Sequence, residues 1–207
     1  MRRALSVNDL LSKKYKLLDF SGDMYRAFGN PEACGIWFIW GHSGNGKTSF
    51  TLQLAKEIAR TKRVAYNSLE ESSAYTMQQS FERHGMIDVA GNLILLEAES
   101  IEDMSKRMLK QKSPDVYVVD SFQHAGLTYR QYIKFKEKHR NKLTIFISHA
   151  EGKQPKGNAA KDVMFDAALK IWIEGYRAFS KGRYIGENGG KYDIWAERAL
   201  MYWGDNV

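Results

Sequence analysis

Gly41-His42-Ser43-Gly44-Asn45-Gly46-Lys47-Thr48 follows G-x-x-x-x-G-K-[ST], the pattern of a loop that wraps phosphate groups. Its glycines let several backbone N–H groups curl round one anion. The lysine reaches the β- and γ-phosphates, and the threonine hydroxyl is of the type that ligates Mg²⁺. The flanks extend the signal. Ile36-Trp37-Phe38-Ile39-Trp40 is an apolar run of strand length, and after Ser49 the residues Phe50, Leu52, Leu54, Ala55 and Ile58 recur at helical spacing. Strand, loop and helix are the context the pattern requires, and a helix opening at Lys47 directs free N–H groups and its positive end at the phosphates. The nucleotide-contacting stretch is therefore Gly41 to Ser49.

Composition bounds the remainder. With 207 residues, 43% of them hydrophobic, and only three prolines, the chain has material for one sizeable core. We divide it into an N-terminal segment, residues 1–35, and a core, residues 36–207. Thirty-one Lys and Arg against 24 Asp and Glu leave a formal charge of +7, which suits a polyanionic partner and equally a solvated basic surface. Cys34 is the only cysteine, which excludes an intramolecular disulfide and a cysteine-based zinc site. Met1-Arg2-Arg3 leads into only two apolar residues, and no apolar run approaches 18 residues; a soluble, cytoplasmic protein without a membrane partner is the expectation.

Along the chain, residues 1–35 offer the aromatics Tyr15, Phe20, Tyr25 and Phe28, expected in short helices beside the nucleotide or against a neighbouring subunit. Val64-Ala65-Tyr66-Asn67-Ser68-Leu69 reads as a strand running into Glu70-Glu71-Ser72-Ser73. A carboxylate there lies where open α/β sheets place their chemistry. Glu70 is read as the residue that orients or deprotonates water; Glu71 is assigned to the first turn of the next helix, about residues 74–84, capped by Ser72 or Ser73. Leu93-Ile94-Leu95-Leu96 reads as a buried strand, and Ser100 with Asp103 as a helix start whose apolar stripe is Ile101, Met104, Met108 and Leu109.

The run Val116-Tyr117-Val118-Val119-Asp120 has the continuous apolar character of a strand covered on both faces. Asp120 at its end can hold Mg²⁺ opposite Thr48. Residues 143–148 form another strand, ending at His149, which reads equally as a γ-phosphate sensor and as an ordinary loop histidine. Between them, residues 130–142 carry six cations interleaved with Tyr132, Ile133 and Phe135, a composition that tracks a nucleic-acid backbone or forms the wet face of a packed helix. The basic, glycine-bearing loop of residues 151–158 is the better DNA candidate. Residues 167–174, 177–185 and 191–195 alternate like half-covered antiparallel strands.

In this order the motifs resemble the RecA-like ATPases, in particular the branch of RadA/Sms, KaiC and the DnaB-type helicases, over roughly residues 36–196. Asn67-Ser68-Leu69-Glu70-Glu71-Ser72 is similar to that branch's strand-end carboxylate motif, and Asp120-Ser121 to its Walker B pair. Ser148-His149-Ala150-Glu151-Gly152-Lys153 resembles the segment leading into a DNA-contacting loop. Lys181-Gly182-Arg183-Tyr184-Ile185-Gly186 resembles the Lys-x-Arg-Phe-Gly element, with Ile185 inserted.

The resemblance implies a three-layer α/β/α fold with a mostly parallel sheet and a C-terminal antiparallel extension. It implies ATP and Mg²⁺ as cofactors, a homo-oligomer (ring or filament) with ATP at its interfaces, and DNA as partner. Glu70 and Lys47 become catalytic, and Lys181 and Arg183 are carried over as cations reaching a neighbour's γ-phosphate, where they would offset developing charge. A bare core of this kind implies a replication, recombination or helicase-like protein of a phage or mobile element. The rival is a nucleotide-gated regulator that acts on a protein partner without DNA; a small-molecule kinase fits poorly, since no lid segment is legible.

Overall fold

In the computed structural model, which describes residues 4–204, the apolar runs become neighbouring strands of one sheet. Two short helices, α1 (Val7–Leu11) and α2 (Gly22–Phe28), precede β1 (Gly35–Gly41) and α3 (Lys47–Ala59). β2 (Val64–Ser68), α4 (Tyr75–Arg83), a 3-10 turn (Met86–Val89), β3 (Leu93–Glu97), α5 (Ile101–Met108) and β4 (Val116–Asp120) follow. Then come α6 (Phe122–Ala125), α7 (Tyr129–Lys138), β5 (Leu143–Glu151), β6 (Gln154–Pro155), α8 (Asn158–Asp166) and β7 (Leu169–Glu174). β8 (Arg177–Ser180), β9 (Lys191–Asp193) and α9 (Ala196–Trp203) end the described chain.

The strand order is β3-β2-β4-β5-β1-β7-β8-β9, with β6 paired to β5. All neighbours from β3 to β7 are parallel, and β8 and β9 are antiparallel. Parallel pairing requires crossovers, and the helices that make them cover both faces. That is why β1 reads as apolar without alternation: Trp37 and Ile39 enter one buried cluster with Phe50, Leu54 and Tyr66, while Phe38 and Trp40 enter the other with Tyr117, Phe146 and Trp172. The expected three-layer α/β architecture with an antiparallel extension is the one observed.

Several local readings change. β3 is the sheet's edge rather than a fully buried strand: only Leu93 and Leu96 are buried, and Ile94 is 44% exposed. β7 pairs parallel with β1, because α8 supplies a crossover between β5 and β7, and Trp172 packs against Trp40 rather than facing solvent. α5 ends at Met108, which leaves Leu109 outside its buried stripe. Residues 151–158 are not an open loop: β6 folds back on the end of β5. Neither Ser72 nor Ser73 caps α4, whose N-cap is Ala74. In the N-terminal segment Phe20 and Phe28 are core, Phe28 packing on Phe50 and Tyr192, while Tyr15 and Tyr25 stay exposed; none of the four lines the nucleotide loop's cavity.

Candidate nucleotide site

Gly41 closes β1 where β7 presses closest. A Cβ on Gly41 would lie 2.4 Å from the Ile173 carbonyl oxygen, so no larger residue is accommodated without moving a central strand. Gly46, the N-cap of α3, has φ 94° and ψ 17°, a left-handed conformation that costs a residue with a side chain about 1–2 kcal/mol. Asn45 accepts a hydrogen bond from the Gly175 N–H at 2.8 Å and ties the loop to the β7–β8 turn. Lys47 Nζ donates to the His42 carbonyl at 2.9 Å, bridging the loop from within. Burial lowers the Lys47 pKa, and the Asp120 and Glu70 carboxylates oppose the shift.

β2 and β4 set the carboxylates. Their register pairs Ser68 with Asp120, and the Leu69 and Glu70 N–H groups both donate to the Asp120 carbonyl, at 2.6 and 3.2 Å. The turn after β2 thus hangs directly over the end of β4, bringing Glu70 beside Asp120. The Asp120–Ser121 peptide bond is cis. Tyr66, fully buried, donates its hydroxyl to Asp120 Oδ2 at 2.9 Å. Asp120 keeps some exposure as a residue, yet its carboxyl lies deep enough that burial pushes its pKa up to about 6; Glu70 and Glu71 push the same way, and the Tyr66 hydrogen bond and Lys47 oppose. Glu71 accepts from Thr76 Oγ1 at 2.9 Å, in keeping with a role at the start of α4.

β5 pairs its His149 with Gly41, at the same edge of the sheet. His149 Nε2 lies 3.4 Å from Glu70 Oε2, and burial lowers the ring's pKa while Glu70 resists. Two neighbours were not legible as site residues. Gln123 on α6 donates to Ser148 Oγ at 2.8 Å and to the Lys156 carbonyl at 3.0 Å, and accepts from the His149 N–H at 3.2 Å. It joins the end of β5 to the hairpin that follows. His124, one residue on, places Nδ1 2.9 Å from Ser121 Oγ and 3.9 Å from Glu70 Oε2.

These groups surround a cavity of about 810 Å³, lined by Ser43, Gly44, Gly46, Lys47, Thr48 and Ser49 and by Glu70, Asp120 and His149. The side chain of His42 is exposed beside Trp172, and neither Gly41 nor Asn45 lines the cavity, the Asn45 side chain being engaged with Gly175. Across the mouth stand Tyr176, Trp195 and Arg198. Arg198 Cζ sits 4.4 Å from the Trp195 ring centroid, and its Nη1 donates to the Tyr176 hydroxyl at 2.9 Å. Arg198 lies on α9, and the signal that could have found that helix is residues 196–203, an uninterrupted run without glycine, proline or a β-branched residue.

Lys181 and Arg183 are elsewhere. The cavity adjoins the C-terminal end of β7, where Ile173 pairs with Gly41, whereas Lys181 and Arg183 bond through their N–H groups to the Lys170 and Ala168 carbonyls at the other end. Both are exposed, and neither lines this chain's own cavity.

The donor set fits the expected cofactors. Thr48 and Asp120 offer oxygen atoms only, which suits Mg²⁺, and Asp120 Oδ2 holds one internal hydrogen bond, leaving acceptor capacity toward the cavity. The backbone from Gly44 to Ser49, at the start of a 13-residue helix, suits a polyphosphate.

No family model and no curated protein matches the sequence. Solved structures do. The flagellar accessory protein FlaH from Methanocaldococcus jannaschii aligns at 16% identity with a TM-score of 0.61, covering 86% of this chain and 92% of its own. A KaiC-like protein from the hyperthermophilic archaeon Pyrococcus horikoshii aligns at 15% identity with the same TM-score, covering 86% of this chain and 99% of its own. At such identities the likeness is one of fold, and the fold of this chain is that of the RecA-like ATPases.

Proposed function

We propose that the chain is a Mg²⁺-dependent ATP hydrolase that works as an oligomer on DNA. The observation that carries the hydrolase reading is the convergence of Lys47, Thr48, Glu70 and Asp120 on one cavity from three separate segments, the start of α3, the turn after β2 and the end of β4. The loop amides and Lys47 hold the β- and γ-phosphates. Thr48 and Asp120 hold Mg²⁺, which would neutralise charge on the phosphate oxygens. Glu70 orients the attacking water, its backbone fixed by the Asp120 carbonyl. Tyr176, Trp195 and Arg198 offer the aromatic and cationic faces on which a base stacks.

Lys181 and Arg183, exposed and far along β7 from this chain's own loop, are assigned to the cavity of a neighbouring copy. A cation supplied in this way contributes about 10³-fold or more to turnover. Equal mixtures of Glu70→Gln and Arg183→Ala chains test the arrangement, since some interfaces then pair an intact Glu70 with an intact Arg183. Activity above the sum of the two separate variants supports it; a fully active Arg183→Ala chain removes it.

DNA is assigned to the hairpin bearing Lys153 and Lys156 and to the exposed cations Arg130, Lys134 and Lys138 along α7, with Arg140 just beyond it. Part of the basic-aromatic reading of α7 falls away, since Tyr132 and Phe135 are buried and Lys136 pairs with Asp166. Gln123 supplies the route by which an occupied cavity would move the hairpin. The likeness to a flagellar accessory protein and a KaiC-like protein favours the second reading, a nucleotide-gated regulator of a protein partner. Single-stranded DNA binding that weakens steeply with salt and stimulates hydrolysis supports the first reading; no binding at low salt supports the second.

A further inference from the structure

Glu70 and His149 line the cavity, and His124 stands beside them; the three come from separate elements, the turn after β2, β5 and α6. Each offers one ligand atom within 4.8 Å of those of the other two. Glu70 Oε2 is 3.4 Å from His149 Nε2 and 3.9 Å from His124 Nδ1. Ligand atoms bound tetrahedrally at about 2.0–2.1 Å stand roughly 3.3 Å apart. Two of the three separations thus lie close to those of a coordination polyhedron, and the third is within 4.8 Å.

We propose that Glu70, His124 and His149 bind a divalent transition-metal ion of the Zn²⁺ or Co²⁺ type, at a site separate from the oxygen donors Thr48 and Asp120. Two imidazoles and one carboxylate suit such an ion, whereas Mg²⁺ selects oxygen. Three protein ligands leave a position for water, and the Ser121 hydroxyl, 2.9 Å from His124 Nδ1, gives up that hydrogen bond when the nitrogen takes the ion. Glu71 and Asp120 line the same cavity and favour a cation there, with Lys47 opposing. The Gln123 bond to the His149 N–H fixes the backbone that carries one of the ligands.

The consequence is regulatory and rests on the proposed hydrolysis: an ion on Glu70 withdraws that carboxylate from water, so the metal inhibits turnover. Binding itself does not depend on that reading. Co²⁺ titrated into the nucleotide-free full chain should give one equivalent per chain with the strong visible absorption of low-coordinate Co²⁺, retained in millimolar Mg²⁺. His124→Ala and His149→Ala should each weaken it at least tenfold. Because His124 is exposed, its replacement is compatible with the fold, and an unchanged melting curve verifies this. Affinity within twofold of wild type in both variants overturns the site, as does displacement by Mg²⁺. Micromolar Zn²⁺ should slow a hydrolysing wild type at least tenfold and His124→Ala less than twofold. A wild type that hydrolyses ATP, binds Co²⁺ and ignores Zn²⁺ overturns the inhibition. One that binds Co²⁺ in this histidine-dependent way but never hydrolyses ATP upholds the site and sinks the proposed function instead.

Discussion

Replacing Asp120 by Asn should stabilise the nucleotide-free protein while removing its activity. Burial raises the Asp120 pKa from 3.8 to about 6. Because the folded value lies above the unfolded one, the ionised group opposes folding at neutral pH. The cost is present above both values and disappears as pH falls through 6 and the folded protein takes up a proton first. Two units correspond to about 3 kcal/mol as an upper bound. Asparagine keeps the shape and can still accept from the Tyr66 hydroxyl, so a gain of about 1–3 kcal/mol is expected at pH 7.5, at roughly 2–4 °C per kcal/mol for a chain of this size. Thermal unfolding followed by circular dichroism measures it, and the gap between variant and wild type should narrow at pH 5. A variant that melts below wild type at pH 7.5, or a gap unchanged at pH 5, refutes the claim that Asp120 is held as a strained, buried charge awaiting a cation.

Gly41→Ala drives a methyl against the Ile173 carbonyl and should cost about 1–3 kcal/mol by forcing β1 and β7 apart, read as a lowered denaturant midpoint with unchanged slope. Arg198→Ala removes the cation over Trp195 at the cavity mouth; ATP's KM should rise about threefold, matching the roughly 0.5–1 kcal/mol of an exposed cation–π contact, with kcat within twofold. An unchanged KM would take Arg198 out of the base site.

What the sequence made legible was whatever a local pattern dictates. The positions of the loop at residues 41–48, of Glu70 just after β2 and of Asp120 at the end of β4 could be read because a strand–loop–helix pattern and apolar parallel strands are written in contiguous residues. Gln123 and His124 were hidden, since a four-residue helix after Asp120 has too little periodicity to show, and their partners lie on β5 and the turn after β2. β7 was misread because alternation at Leu169, Ile171 and Ile173 suggests an open face, whereas α8 brings the strand into the parallel sheet and Trp172 onto Trp40. Edge position, which exposes Ile94 on β3, is likewise a property of strand order rather than of residues 93–97 themselves.

The central claim is that Glu70 acts on water at a bound Mg²⁺·ATP. Phosphate release by Glu70→Gln, measured beside its ATP affinity in Mg²⁺, addresses it directly. The account predicts ATP binding within a fewfold of wild type and turnover reduced by about 10²-fold or more, the scale of a lost general base. A Glu70→Gln chain that releases phosphate as fast as wild type would contradict it.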